Sequence, residues 1–257
     1  MSDPLNKLLQ QTGLWRASSI GCSFKQHPGS GFEALDRELP GGGWPADGVT
    51  ELLHDQYGIG EFRLLAPALA RLSREQTRWL LLVSPPYIPY PPALVQAGVD
   101  LTRIIISQPR TSADYLWVLE KALASQSCST VLTWPGRIHD RQIRRLQVAS
   151  RAGNCWCVLF RPERAAVNAS PAELRMRIRP QNPHHDNTSL AVRILKRRGG
   201  WESGDIQLHL DDQLQRPTPD FSEMIVEPGC EEPAGLSITD FPPQDQDQGQ
   251  GTVYGYQ

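Results

Sequence analysis

T-E-L-L-H-D-Q-Y-G-I-G-E-F-R-L-L, residues 50–65, is the stretch on which the fold turns. A strand, a glycine-bearing turn and the start of a helix follow one another there, the order found in a phosphate-binding loop. Aligning Gly60 with the second glycine of G-x-x-x-x-G-K-[ST] puts Asp55 at the first glycine, Glu61 at the lysine and Phe62 at the hydroxyl, with Gly58 inside the turn. Such a loop needs a cation against the β- and γ-phosphates and a hydroxyl on magnesium. A carboxylate in place of the lysine repels both phosphates, so the stretch reads as a nucleotide fold stripped of its nucleotide chemistry.

Working outward, the run 29–48 reads as a short helix over 32–39, ended by Pro40 and a glycine run. The strand 49–53 follows, then a helix over 63–73 in which Pro67 is tolerable only in the first turn. W-L-L-L-V at 79–83 is a continuous apolar run, the mark of a strand covered on both faces. Five prolines within 85–92 break the pattern. Helices near 93–97, 112–125 and 140–152 then alternate with strands at 103–107, 130–133 and 156–160, which predicts a mainly parallel, doubly wound α/β sheet. The segments 173–179 and 189–196 alternate residue by residue, and with 206–210 they predict antiparallel strands at the sheet edge.

At 257 residues with 39% hydrophobic content, the chain is long enough for one sizeable core plus appendages. The boundaries expected are an N-terminal arm over 1–28, a core over 29–210 and a disordered acidic tail over 211–257. The net charge of −2 conceals that division. The tail holds ten carboxylates against the single cation Arg216, so it carries −9 and the rest of the chain +7. Six prolines and Q-D-Q-D-Q-G-Q complete its disordered composition.

Five cysteines in no regular framework point to free thiols in a reducing compartment. Cys155 and Cys157 would share a face on a strand, but no second Cys or His pair lies at zinc-like spacing, so buried thiols are the reading and no metal is expected. There is no apolar run of membrane-spanning length and no leader-like N-terminus, which gives a cytoplasmic expectation.

Particular strings resemble the RecA core, and more closely its ImuA/SulA-like branch. Q-A-G-V-D-L-T-R-I-I-I-S-Q-P-R-T at 96–111 is similar to the RecA segment carrying G-V-D and Q-P-D-T. L-D-R-E-L-P-G-G-G-W-P at 35–45, with P-A-D-G and T-E-L-L after it, resembles the opening motif of the ImuA family, and Trp15-Arg16 resembles that family's arm. The likeness covers about residues 13–210 and implies a RecA-like P-loop core with a degenerate nucleotide site and no cofactor. In RecA a hydrophobic strand ends in an aspartate supporting magnesium, where T-V-L-T-W-P here places Trp134; Ser84-Pro85-Pro86 stands where the catalytic carboxylate is expected. The resemblance thus implies a non-hydrolysing protein.

What it further implies is an accessory role in SOS-linked translesion DNA synthesis, beside an ImuB-type polymerase homologue, an error-prone DNA polymerase and RecA itself. The alternative is a SulA-like cell-division inhibitor that binds FtsZ. The residues themselves offer two basic surfaces for DNA or a partner: Arg137, Arg141, Arg144 and Arg145 at helical spacing, and Lys196, Arg197 and Arg198 at a strand end. A solvated helix face and a soluble hairpin account for the same residues. In the tail, Phe221, Met224, Ile225 and Val226 form the only apolar cluster, a candidate for folding on a partner or an inert linker.

Overall fold

Continuous apolar runs bounded by turn residues become the central strands of one eight-stranded sheet. The computed structural model describes residues 27–182 and 186–211, without the side chains of 182, 186 and 187. The chain divides into Met1–Pro219 and Asp220–Gln257, and every described residue belongs to the first unit. Most of the N-terminal arm, the tail beyond Asp211 and its cluster Phe221, Met224, Ile225 and Val226 lie outside the described residues.

The strands are β1 (Gly48–Leu53), β2 (Trp79–Val83), β3 (Ile104–Ser107), β4 (Cys128–Thr133), β5 (Trp156–Arg161), β6 (Leu174–Asn182), β7 (Asp186–Lys196) and β8 (Asp205–His209). The described helices are α1 (Glu33–Asp36), α2 (Glu61–Glu75), α3 (Pro91–Gln96), α4 (Ser112–Ala124) and α5 (Asp140–Gly153). The sheet order is β3-β2-β4-β5-β1-β6-β7-β8, parallel from β3 to β6 and antiparallel for β7 and β8. β1 is buried along its whole length because it lies between β5 and β6.

Two cores cover the two faces of the sheet. Leu64, Leu65, Ala68 and Leu72 of α2 pack with Leu52, Leu80, Leu132 and Val158 on one side, and Met176, Val192 and Leu208 extend that core under β6 to β8. On the other side, Leu119 and Leu123 of α4 and Ile143 and Leu146 of α5 cover Val49, Leu81, Val131 and Leu159. These two helices approach closely: a Cβ on Gly153 would lie 1.9 Å from the Leu123 carbonyl oxygen, so only glycine fits. α5 also caps the start of β1, where Gly48 N–H donates to Ser150 Oγ (2.6 Å) and Val49 N–H to Gln147 Oε1 (2.8 Å).

Expectations of local geometry need correction at two points. α2 begins at Glu61 rather than 63, so Pro67 falls inside its second turn. The missing backbone bond is tolerated because the helix is held by its buried apolar face rather than by propensity alone. β6 is also not an antiparallel addition. The crossover through the 3-10 turn Glu163–Val167 returns the chain on the far side of β1 in the same direction, and only β7 and β8 reverse it.

The expected RecA-like P-loop core with a degenerate nucleotide site is overturned. A phosphate loop is an open cradle of backbone N–H groups at a helix start. Here the carboxylate of Glu61 folds back to accept the Gly58 N–H at 2.9 Å, and Gly60 turns the chain at φ 106° into α2. Phe62, one residue on, stacks with Trp134 and Phe160 where a nucleotide would need room. The turn is a helix entry closed by its own side chains.

Candidate functional site

The carboxyl ends of β1, β2, β4 and β5 come together where the sheet is fully covered, and the loops leaving them form one continuous aromatic array. Trp134, just past β4, stacks on Phe160 of β5 with centroids 4.5 Å apart and planes at 3°. Phe62 lies 5.8 Å from Trp134 and 6.3 Å from Phe160. Phe160 meets His54 edge-on at 6.0 Å; His54 meets Tyr57 at 5.3 Å, and Tyr57 meets Tyr87 at 6.4 Å. The array thus runs from the core to the surface.

Its inner part is held by hydrogen bonds. His54 N–H donates to the Arg161 carbonyl (3.0 Å), its Nδ1 lies 2.7 Å from the Gln56 carbonyl, and Asp55 accepts the Glu163 N–H at 3.0 Å. His54 Nε2 and Glu61 Oε2 are buried without a hydrogen-bond partner. Below the loop, Glu51 of β1 is fully buried and accepts from Arg161 of β5, Arg175 of β6 and Ser170 Oγ, each at 2.7 Å. That carboxylate ties the strands on both sides of β1 together.

The outer part is apolar and open. Tyr57 is 53% exposed, and Tyr87, Ile88 and Tyr90 on the proline-rich loop are 74%, 74% and 70% exposed. Ser84 starts that loop at φ 51° while its N–H donates to the Ser107 carbonyl at 2.9 Å, so the chain is turned outward against the preference of a non-glycine residue. Five prolines over 85–92 restrict the backbone of this loop, so less backbone entropy is lost when its exposed rings are buried on binding. Tyrosines on a rigid loop are typical energetic anchors of protein interfaces.

Among the described residues the thiols of Cys128, Cys155 and Cys157 are buried. Burial raises Cys128 and Cys155 above the ordinary thiol value and pushes Cys157 up to about 12, so none is a thiolate at neutral pH. Burial likewise raises the Tyr115 hydroxyl, which bonds Thr133 Oγ1. No group of three or more metal-ligating side chains occurs among the described residues. No helix among them is long and apolar enough to cross a membrane.

The structure brings Asp55, Gly58, Gly60, Glu61, Phe62 and Trp134 into one neighbourhood, as wall and filling rather than as a nucleotide cradle. Arg137, Arg141, Arg144 and Arg145 lie exposed on and before α5, with Arg145 paired to Glu120 at 2.7 Å. The second basic group is dispersed among structural partners: Lys196 donates to the Ser170 carbonyl (2.7 Å), Arg197 pairs with Glu38 (2.7 Å), and Arg198 stays exposed, 3.8 Å from Glu173. Tyr57, Tyr87, Ile88 and Tyr90 are the residues that sequence reasoning missed. The available signal was the string P-P-Y-I-P-Y-P-P at 85–92, where large apolar residues alternate with fixed backbone.

A family model described as "Cell division inhibitor SulA" matches residues 49–157. The cell division inhibitor SulA of Photorhabdus laumondii is 35% identical over 113 residues, which is 44% of this chain and 63% of that protein. The chain therefore spans a little under two thirds of that relative's length. SulA of Pectobacterium atrosepticum is 33% identical over 122 residues, 47% of this chain and 72% of that protein. The crystal structure of SulA from Pseudomonas aeruginosa aligns at 30% identity over 44% of this chain and 97% of its own, with a TM-score of 0.38. The family match runs through the 54–62 turn, so the turn has relatives named as division inhibitors, and the degenerate-ATPase reading finds no support in them.

Proposed function

This chain belongs to the SulA family, and on that premise we propose that it is a non-catalytic cell-division inhibitor that binds the tubulin-like division protein FtsZ. The observation supporting this reading is the surface ridge of Tyr57, Tyr87, Ile88 and Tyr90, which lies wholly within the matched residues 49–157. Burying these side chains against a partner supplies apolar area and stacked rings without chemistry. Inhibition then works by occupancy of the partner's surface. The test is sedimentation of purified FtsZ polymer with GTP in the presence of the full chain, with cell filamentation on expression as the cellular readout. Unchanged polymer and normal division would defeat the reading.

A second reading rests on a different observation. β6, β7 and β8 lie beyond the matched residues yet complete the same sheet, with Arg175 of β6 anchored on Glu51 of β1. This larger core supports an ImuA-type role in SOS-linked translesion DNA synthesis, in which the chain docks an ImuB-type polymerase homologue, an error-prone polymerase and RecA. Co-purification with the ImuB-type protein, together with loss of damage-induced mutagenesis on deletion, separates it from the first reading. Filamentation with FtsZ capture and no ImuB-type capture would defeat it.

A further inference from the structure

The outer face of α5 has an exposed stripe that the proposed partner surface does not use. Arg141, Arg144, Val148 and Arg151 recur turn after turn, while Ile143, Leu146, Gln147 and Ser150 face inward. Arg137 leads into the helix from the end of β4. Arg145 and Arg151 are held by Glu120 and Glu173. Arg137, Arg141 and Arg144 form no hydrogen bond or ion pair with any described residue. The acids flanking the stripe are Asp140 at the helix start, Asp114 in the first turn of α4, which accepts the Thr111 hydroxyl at 2.8 Å, and the two already paired glutamates.

One exposed indole is level with the start of this stripe, and a second stands on the hairpin that meets its end. α4 and α5 both run back from parallel strands and so lie parallel, and the Glu120 to Arg145 ion pair fixes their relative level. One turn earlier on each helix, Trp117 and Arg141 are at the same height, and Trp117 is 62% exposed. Towards the other end, Glu173 reaches Arg151 at 3.1 Å and Arg198 at 3.8 Å, which brings the β7–β8 hairpin to the end of α5. Trp201 on that hairpin is 90% exposed, and its carbonyl accepts at 3.0 Å from Arg197, whose guanidinium also pairs with Glu38 just past α1 at 2.7 Å. The helix between them is about 21 Å long, at about 1.5 Å per residue.

We propose that this face binds single-stranded nucleic acid, with Arg137, Arg141 and Arg144 on phosphates and Trp117 and Trp201 stacking on bases. Cations alone would take any polyanion. The indoles make the choice, because their faces stack on unpaired bases and find no equivalent in a duplex or an acidic peptide. The inference does not rest on the FtsZ reading, since the ridge of Tyr57 and Tyr87 is not part of it.

The test is fluorescence anisotropy of the full chain with a labelled oligothymidylate of about 20 nucleotides, longer than a single binding fold occupies. A duplex of equal length and polyglutamate are the comparison ligands. Replacing Arg137, Arg141 and Arg144 together by Ala is expected to flatten the log–log salt slope by about 2, at about 0.7 for each phosphate no longer neutralised. Trp117→Ala or Trp201→Ala is expected to weaken oligothymidylate binding by about 5-fold or more, leaving polyglutamate unaffected. Arg144→Gln alone, expected to flatten the slope by about 0.7, serves if the triple variant loses its wild-type melting temperature. Absence of binding at low salt, equal preference for duplex or polyglutamate, or indifference to both indole substitutions would each overturn the proposal.

Discussion

Glu51→Ala is the perturbation that most severely tests how this sheet is held together. The wild-type carboxylate accepts three bonds of 2.7 Å, from Arg161, Arg175 and Ser170, while completely excluded from water. Arg175 keeps two other bonds in the variant, to the Asn168 carbonyl (2.9 Å) and the Ala165 carbonyl (2.8 Å), so its guanidinium stays in place. Its charge is then buried without a counterion. Breaking a buried pair in this way costs about 3–5 kcal/mol, far more than the net worth of the pair. For a core of this size that is a fall of about 10 °C in melting temperature, at about 2–4 °C per kcal/mol. The assay is urea unfolding followed by circular dichroism, with hydrogen exchange of β6 as the local readout. Adding Arg175→Met to Glu51→Ala is expected to recover about 2 kcal/mol, because the uncompensated charge is removed. A loss below about 1 kcal/mol for Glu51→Ala, or no recovery in the double variant, would refute the account of Glu51 as the tie between β5, β1 and β6.

Other outcomes follow from the same geometry. Phe160→Ala, which empties the centre of the stack formed with Phe62 and Trp134, is expected to cost about 3–5 kcal/mol in denaturant unfolding; a cost under about 1 kcal/mol would show that the rings do not pack as a unit. Glu61→Lys with Phe62→Ser restores phosphate-loop residues but leaves Trp134 and Phe160 in the space, so a fluorescent ATP analogue is expected not to bind saturably. Saturable, magnesium-dependent binding would reinstate a nucleotide site. Cys157 has its folded-state value raised from 9.0 to about 12, so its contribution to stability is whole below pH 9.0 and is lost as the pH rises towards 12. The unfolded thiol ionises first, at a slope of at most about 1.4 kcal/mol per pH unit for this group. Cys157→Ala is expected to remove that share of the alkaline decline, and an identical pH profile would contradict it.

Much of the sheet is legible in the sequence because burial leaves a signature. W-L-L-L-V at 79–83 and the apolar run at β5 mark strands covered on both faces, and the alternation of Leu174, Met176 and Ile178 with Arg175, Arg177 and Arg179 marks which side of β6 meets the core. Direction is not legible in the same way. A period-two pattern fixes the face of a strand and not its neighbour, which is why β6 proves parallel to β1. The phosphate-loop reading fails for a related reason. Glycine spacing at Gly58 and Gly60 records a turn, whereas the contents of that turn depend on Trp134 and Phe160, remote in sequence and brought in by β4 and β5.

The same distinction separates the two basic clusters and the aromatic ridge. The arginines of α5 are readable as an exposed stripe because helical spacing alone sets their face. Lys196 and Arg197 are not, since what engages them is the Ser170 carbonyl and Glu38, far away along the chain. Tyr57 and Tyr87 become neighbours only when the loops after β1 and β2 meet, and the prolines that conceal 85–92 as a break in pattern are what hold its rings outward.

In the proposed function the SulA-type core acts through the ridge of Tyr57, Tyr87, Ile88 and Tyr90. The most direct measurement is the affinity of the full chain for purified FtsZ, compared with Tyr87→Ala and Tyr90→Ala, all three first matched in melting temperature. Saturable binding by the wild type is expected, with a loss of about 30-fold or more in at least one variant, the size of a truncated interface hot spot of about 2 kcal/mol. Wild-type binding that neither substitution changes, or no binding to FtsZ at all, would contradict it.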